Sequence, residues 1–187
     1  FSNYIMHNKS NIYYFINSYN SDEIKKLKKN VSLIYRDYEG KLDLDIIKKI
    51  RNICILQKRK FYISNNLKVA KNLKLDGVYI PSFNNLSNFK NLTVHNQFKI
   101  IGSAHNRIEL LNKMLQGCSE VFIAPLFKTK KSKFFLDISK FNLISNHSDI
   151  KIIALGGINS SNFDKLKTVK CSGFAAITWI KKTGLNK

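Results

Sequence analysis

Two consecutive glycines, Gly156 and Gly157, end the apolar run IKIIALGG and are followed by a polar segment that includes Ser160 and Ser161. A glycine has no Cβ, so its backbone N–H group can approach an anion closely. A helix that begins at the serines would direct further N–H groups, and the positive end of its dipole, to the same place. The residues therefore predict either a phosphate-binding loop or an ordinary tight turn, and both interpretations stay open.

The elements that must position this loop alternate along the chain. Short apolar runs are typical of buried strands, and the stretches between them have apolar residues at helical spacing. The predicted strands cover 11–17, 31–36, 60–64, 77–81, 98–103, 120–125, 150–157 and 173–180. The predicted helices cover 21–29, 42–57, 66–74, 106–117, 137–146 and 160–169. Strands that are separated by helices in this way are parallel.

Eight strands with helices between them favour a closed (β/α)₈ barrel of the α/β class, with one domain over 1–187 and a core over about 11–180. A doubly wound open sheet is the alternative fold. In a barrel the chemistry lies at the C-terminal ends of the strands, and the loops after strands 7 and 8 often bind phosphate. We therefore expect Gly156, Gly157 and the N–H groups near Thr178, on predicted strand 8, to bind a phosphate group.

Composition excludes several classes of protein. The chain has 187 residues, 44% of them hydrophobic, which is enough for one packed domain. No apolar stretch is long enough to span a membrane, and the first residues do not resemble a secretory signal. The cysteines Cys54, Cys118 and Cys171 are far apart, which indicates reduced thiols in the cytoplasm and neither a disulfide framework nor a zinc site.

The net charge of +20 raises nucleic acid as a partner. However, the lysines are spread along the whole chain, and the sequence has no RNP-like aromatic motif, zinc knuckle or arginine-rich arm. Nucleic acid is therefore not favoured as a partner. A generally positive surface favours phosphorylated small molecules instead.

Six segments resemble, in order and spacing, those of the thiamine phosphate synthase/TenI family: IYRDY, DGVYIPS, IIGSAHN, VFIAPLFKT, IIALGGIN and GFAAITWI. The resemblance covers roughly residues 11–180 and implies a compact (β/α)₈ barrel that binds thiazole phosphate. Synthases of this family join thiazole phosphate to hydroxymethylpyrimidine diphosphate with Mg²⁺ and release pyrophosphate. TenI-type members isomerise the thiazole carboxylate phosphate without a metal, with a histidine as acid and base.

The resemblance also implies roles for individual residues. It places His105 at the position of the TenI-type acid/base histidine and makes Arg36 the second catalytic residue. The residues that it implies for substrate or phosphate contacts are Ser103, Thr129, Lys131, Gly156, Gly157 and Thr178. Histidine suits proton transfer because its unperturbed pKa is near 6.5. The alternative is that His105 only caps the helix predicted to begin at Asn106.

The metal ligands of a synthase are not found. After strand 3 the family has Asn-Asp, whose aspartate binds magnesium, whereas this chain has Ser64 and Asn65. After strand 4 another acid is expected, and the segment YIPSFN has none. The chain has only 12 acidic residues, of which Asp37 and Glu39 are expected near the barrel mouth. Mg²⁺ is therefore expected from the family alone, and no residue is assigned to it.

Several functions stay open at this point. The family implies thiamine phosphate synthesis from thiazole phosphate and pyrimidine diphosphate, and His105 favours a tautomerase at least equally. The missing carboxylates leave a third alternative, a non-catalytic protein that binds a phosphate ligand. A homodimer is left open. Trp179 stands where the family has a small residue, next to the phosphate loop, and whether it narrows or remodels the phosphate site stays open.

Overall fold

The computed structural model describes residues 11–37, 42–85, 89, 97–130, 132–146 and 148–185. Its eight parallel strands pair in sequence order and close into a barrel, so the (β/α)₈ prediction is confirmed and the open sheet is excluded. The strands are β1 (Asn11–Ile16), β2 (Val31–Tyr35), β3 (Phe61–Ser64), β4 (Gly77–Ile80), β5 (Lys99–Ala104), β6 (Glu120–Ile123), β7 (Lys151–Leu155) and β8 (Gly173–Ala175).

The helices lie between the strands and after β8. They are α1 (Ser21–Lys26), α2 (Leu44–Leu56), α3 (Leu67–Asn72), α4 (Arg107–Leu115), α5 (Asp137–Ser145), a 3₁₀ helix (Phe163–Thr168) and α6 (Ile177–Thr183). The side chains of Asn20, Asp43, Asn66 and Asn106 begin α1 to α4 by accepting hydrogen bonds from N–H groups of the first turn. These polar side chains satisfy donors that would otherwise be unpaired at a helix N-terminus.

Two predicted elements near the C-terminus are wrong. The segment 160–169 forms only the 3₁₀ helix, and the run GFAAITWI ends its strand at Ala175 before α6 begins at Ile177. A short apolar run does not distinguish a buried strand from a buried helix, because a buried segment of either kind consists of apolar residues.

The structure places Trp179 on the outer side of β8. Its half-buried indole lies in the layer between barrel and helices, with its ring centroid 5.1 Å from that of Phe163 and 6.2 Å from that of Phe174. Phe174 lies between two inward positions of β8 and therefore faces outward. The indole packs on the outside of the barrel, so it does not narrow the phosphate loop.

The interior of the barrel is filled by alternate residues of the strands. This inner core consists of Tyr13, Phe15, Ile34, Tyr62, Tyr79, Ile101, Phe122, Ile153 and Ala175. Phe122 is at its centre, with edge-to-face contacts to Tyr13 at 5.0 Å and to Phe15 at 5.2 Å between ring centroids. Each such aromatic pair contributes about 0.5–1.5 kcal/mol beyond the area that it buries. The interior is therefore a packed floor beneath the mouth and not a channel.

A buried carboxylate closes the N-terminal end of this interior. Glu120, at the start of β6, is 1% exposed, accepts a hydrogen bond from the Tyr13 hydroxyl at 2.5 Å and forms an ion pair with Lys99. A buried charge is tolerated when it is paired and hydrogen-bonded in this way. Burial, followed by the nearby charges, raises the pKa of Tyr13, so its hydroxyl keeps its proton and donates.

Arg59, just before β3, joins the connections that lead into β2 and β3. Its buried guanidinium donates to the carbonyl groups of Leu27 and Lys28, each at 2.9 Å, and to the carbonyl of Val31. It also donates twice to the side chain of Gln57. These contacts use all five N–H donors of the guanidinium, three on backbone carbonyls and two on the Gln57 side chain, so Arg59 has no donor left for a ligand.

We expect Arg59→Met to lower the free energy of unfolding by about 2–4 kcal/mol, because it removes the guanidinium donors from the carbonyl groups of Leu27, Lys28 and Val31. Lys58→Met is the matched control, since Lys58 is the exposed neighbour of Arg59 and carries the same charge. It should change the free energy by no more than about 0.5 kcal/mol. Urea denaturation of both variants measures the difference, and equal effects would contradict the structural role of Arg59.

Candidate active site

The predicted site residues that the structure describes lie at the C-terminal ends of the strands. They are Arg36 after β2, Ser103 within β5, His105 after β5, Thr129 in the loop after β6, Gly156 and Gly157 after β7, and Thr178 after β8. Lys131 and Glu39 lie outside the described residues. The closed barrel brings loops from distant parts of the sequence to one rim.

His105 is held in one orientation by a backbone carbonyl. Its Nδ1 atom lies 2.8 Å from the carbonyl oxygen of Ala124, at the end of β6. A carbonyl oxygen can only accept, so Nδ1 carries the proton and donates. In the neutral ring the lone pair of Nε2 is then free, so His105 can accept a proton at this nitrogen.

The alternative role of His105 as a helix cap is wrong. The cap of α4 is Asn106, whose side chain accepts a hydrogen bond from Glu109 N at 2.9 Å. The backbone N–H of His105 in turn donates to the carboxylate of Glu109 at 2.8 Å. The backbone of His105 is thus fixed at the start of α4, while its ring is exposed at the rim.

A buried hydroxyl pair lies below His105 on the same inward side of β5. The Tyr79 hydroxyl donates to Ser103 Oγ at 2.9 Å, and both residues are buried. Because Ser103 accepts from Tyr79, its own hydroxyl hydrogen remains to donate elsewhere. Ser103 therefore offers a fixed donor at the floor of the mouth.

Arg36 places a positive charge above the aromatic floor. Its guanidinium carbon lies 4.3 Å from the centroid of the Phe15 ring, which is within range for a cation–π interaction. The backbone N–H of Arg36 donates to Ile16 O at 2.8 Å, which continues the pairing of β1 and β2 beyond the strand ends. A planar guanidinium held in this way can bind a carboxylate or phosphate through two donors.

The two glycines are required by the backbone. Gly156 and Gly157 have φ values of +96° and +72°, a region that side chains other than that of glycine rarely adopt. A Cβ at Gly156 would lie 2.7 Å from Pro125, and one at Gly157 would lie 2.6 Å from the carbonyl oxygens of Phe127 and Lys128. The tight turn is therefore real, and the loop after β6 packs directly against it.

That turn leaves its N–H groups available. The carbonyls are used, since Gly156 O accepts from Phe127 N at 3.0 Å and Gly157 O accepts from the Asn162 side chain at 2.8 Å. Within the described part of the chain, by contrast, no group accepts from the N–H of Gly156 or Gly157. A tight turn and an anion site are thus compatible here, and the two interpretations do not exclude each other.

The first turn of α6 adds donors beside the glycines. Strands β7 and β8 pair with Leu155 opposite Ala175, so the turn after β7 and the start of α6 are neighbours. Helix α6 has no side-chain cap, and Thr178 is exposed in its first turn. N–H groups of a first turn have no acceptor within the helix. Thr178 therefore lies on a helix and not on the strand that the sequence predicts.

The serines after the glycines do not begin a helix. Ser161 donates through its backbone and its hydroxyl to Asn159 Oδ1, at 2.9 and 2.6 Å, within a polar turn. The 3₁₀ helix starts only at Phe163 and has no side-chain cap. The helix dipole that the sequence predicts at Ser160 and Ser161 is therefore not formed there.

Thr129 lies in the basic loop after β6. Its hydroxyl accepts a hydrogen bond from Ser132 N at 3.1 Å and so shapes the loop. Lys128 and Lys130 are exposed on either side of it and form no ion pair with the residues described. These lysines give the rim between β6 and β7 a positive potential that favours anions.

The residues at the ends of β3 and β4 do not fit a magnesium ion. Asn65 and Asn84 follow these strands, and the Asn84 side-chain N–H donates to Asn65 Oδ1 at 2.7 Å. Mg²⁺ is usually held through one or two carboxylates, and this pair is neutral. Among the residues that the structure describes, no three His, Cys, Asp or Glu side chains come together.

Neither Cys54 nor Cys118 is suited to act as a nucleophile. Cys54 and Cys118 are buried in the layer between barrel and helices, and burial raises the pKa of both thiols to about 12. They are therefore protonated at neutral pH and poor nucleophiles.

A cavity of about 720 Å³ lies at the opposite end of the barrel. It is lined by the last residues of α1 and α2 and the connections that follow them, with Lys25, Lys28, Lys29 and Lys58 among them. Arg59 also lines it, but all its donors are used. The cavity holds no candidate acid or base, so we place the active site at the other end.

We did not predict from the sequence that Phe15, Tyr79 and the carbonyl of Ala124 belong to the candidate site. The two aromatic residues could have been found by following alternate positions along the predicted strands to the inner core. The Ala124 carbonyl carries no signal in the sequence, because any residue would supply it.

A family model described as thiamine monophosphate synthase matches residues 24–180. This stretch runs from within α1 through β2 to β8 and into α6, and it includes every site residue that the sequence predicts. The chain belongs to the thiamine phosphate synthase/TenI family. This membership confirms the resemblance found in the sequence and supports a role in thiamine biosynthesis.

Individual relatives agree with this assignment. A thiamine-phosphate synthase of Prochlorococcus marinus is 31% identical over 142 residues, which cover 71% of this chain and 39% of that protein. One of Pelagibacter ubique is 32% identical over 139 residues, which cover 72% of this chain and 66% of that protein. The chain thus spans about two fifths of the length of the Prochlorococcus relative.

The fold has a close counterpart among solved structures. Thiamine phosphate pyrophosphorylase from Pyrococcus furiosus superposes with a TM-score of 0.76 over 96% of this chain and 94% of that one, at 18% identity. At this identity the likeness shows the shared barrel alone. Within the described residues, no helix is long and apolar enough to cross a membrane.

We expect Gly157→Ala to weaken binding of a thiazole phosphate roughly tenfold or more, because the strained turn must move the N–H groups. Gly184→Ala is the matched control. Gly184 ends α6 at the other end of the helix, has φ +57°, and its Cβ would lie 2.6 Å from Lys26 O. Calorimetric titration should show unchanged affinity for that variant. Equal losses in both variants would contradict a phosphate site at the glycines.

Proposed function

We propose that this protein binds a thiazole phosphate at the C-terminal end of its barrel and transfers a proton on that ligand through His105. The observation that carries the proposal is the hydrogen bond from His105 Nδ1 to Ala124 O, which leaves Nε2 free to act as a base. The membership in the thiamine phosphate synthase/TenI family supports the choice of ligand. The free state of the described cysteines is compatible with a cytoplasmic site of action.

The ligand is oriented by groups on both sides of the mouth. Its phosphate lies at the N–H groups of Gly157 and of the first turn of α6, with the Thr178 hydroxyl as a further donor. Its ring covers the floor formed by Phe15 and Tyr79, and Ser103 donates to a ring heteroatom. Arg36 meets a carboxylate on the opposite side of the ring.

The reaction is an isomerisation and needs no co-reactant. His105 Nε2 takes a proton from one position of the thiazole, and the electron pair that remains shifts along the conjugated ring. The imidazolium returns the same proton to a second position, so atoms and charges balance. Such positioned acid–base catalysis contributes about 10²–10⁴-fold in rate.

A second candidate is thiamine phosphate synthesis, which the names of the matched relatives favour. The pyrimidine diphosphate would then bind beside the thiazole phosphate, and Lys128, Lys130 and Arg36 would neutralise the leaving pyrophosphate. An assay with both substrates, with and without Mg²⁺, distinguishes the two functions. Thiamine phosphate formation that chelation abolishes would favour the synthase over the tautomerase.

We expect His105→Asn to lower turnover of the thiazole carboxylate phosphate about 10²–10⁴-fold. Its affinity for the ligand should change little, because the phosphate-binding groups remain. Asn106→Ser serves as the control, since serine also caps a helix and the neighbouring ring is untouched. Spectroscopic turnover assays and calorimetry separate the two effects.

Two results would contradict the proposal. Retention of full turnover in His105→Asn would remove the histidine from the reaction. The other result is binding of the thiazole phosphate with no turnover in either assay, whether of this ligand alone or of the two synthase substrates together. It would indicate a non-catalytic binding protein.

A further inference from the structure

We propose that the amide pair Asn65–Asn84, braced by the buried Lys113, excludes divalent cations from the corner of the mouth at the ends of β3 and β4. This inference goes beyond the proposed function, because it concerns which ions the mouth accepts, whatever reaction takes place there. It also predicts a property that can be measured without any substrate.

The pair occupies both loops of this corner. Asn65 follows β3 directly with φ +59°, and its backbone N–H donates to Tyr79 O of β4 at 2.8 Å. The Asn84 side-chain N–H donates to Asn65 Oδ1 at 2.7 Å. Each amide is neutral, and the bond uses the oxygen of Asn65 that a cation would otherwise approach. Amide groups joined in this way lack the carboxylates through which Mg²⁺ and Mn²⁺ are usually held.

Lys113 supports the pair from beneath. It lies in α4, its side chain is fully buried, and its Nζ donates to Asn84 O at 2.6 Å and to the Gln116 side chain at 2.9 Å. Gln116 Nε2 donates to the same Asn84 carbonyl at 2.9 Å. These two donors fix the position of Asn84. The positive charge of Lys113 also repels a divalent cation at this corner.

The carboxylate of Glu109, on the same helix as Lys113, lies close enough to interact with its charge but is engaged at the start of α4. Its two oxygens accept hydrogen bonds from His105 N and from the Asn106 side-chain amide. Glu120 lies at the other end of the barrel and is paired with Lys99. At this corner a fixed ammonium therefore lies beside two neutral amides.

The test restores the carboxylates and measures Mn²⁺ binding by the loss of the free-ion electron spin resonance signal. The variant Asn65→Asp/Asn84→Asp should bind one Mn²⁺ roughly tenfold more tightly than the control, because two carboxylates replace the amides. The control Asn20→Asp/Asn66→Asp adds the same charge at two helix caps, where aspartate is equally accepted. Wild-type protein should show no saturable binding at millimolar Mn²⁺.

Further variants separate the contributions. Adding Lys113→Met to the double aspartate variant should tighten Mn²⁺ binding again, since it removes the buried positive charge. If the double variant does not fold, Asn65→Asp alone carries the test, with Asn66→Asp as its control. Folding is checked by circular dichroism before each titration.

Two outcomes would overturn the inference. One is saturable binding of one Mn²⁺ by the wild-type protein. The other is a folded aspartate variant that binds Mn²⁺ no better than its control. Failure of the proposed function is a separate result, because it appears as missing turnover in the thiazole assay and not in the metal titration.

Discussion

The pairing of β1 with β8 closes the barrel, and the arrangement of the mouth depends on that closure. Strand β8 has only three residues, and Gly173 begins it because a Cβ there would lie 2.0 Å from the carbonyl oxygen of Asn11. The pairing aligns Ala175 with Tyr13 of β1 on one side and with Leu155 of β7 on the other. Closure therefore brings the start of α6 close to the turn at Gly156 and Gly157.

The two ends of the barrel divide the tasks between them. At the N-terminal end, Glu120 and Arg59 are buried and their polar atoms are bonded to partners, which stabilises the scaffold. At the C-terminal end, polar groups such as Ser103, the ring of His105 and the N–H of Gly157 keep bonding capacity for a ligand. Because the N-terminal end of the barrel is rigid, polar groups at the C-terminal end can keep hydrogen-bonding capacity that is not used within the protein.

Much of this architecture can be predicted from the sequence. Alternating apolar runs locate seven strands to within two residues and the start of the eighth, and the closed barrel follows from their number and parallel order. Predictions fail where local pattern is ambiguous, as in GFAAITWI, whose second half becomes α6 and whose Trp179 packs outside the barrel. The site is only partly readable, because contacts such as His105 with Ala124 O join residues that are neighbours only in the folded barrel.

Solvent isotope exchange tests the central claim, that His105 transfers a proton on a thiazole phosphate without a metal. The protein is incubated with the thiazole carboxylate phosphate in D₂O and excess chelator, and deuterium in the ligand is followed by NMR. We expect wild-type protein to incorporate deuterium at the carbon that is protonated, and His105→Asn to incorporate none. Absence of exchange with wild-type protein, or equal exchange in both proteins, would contradict it.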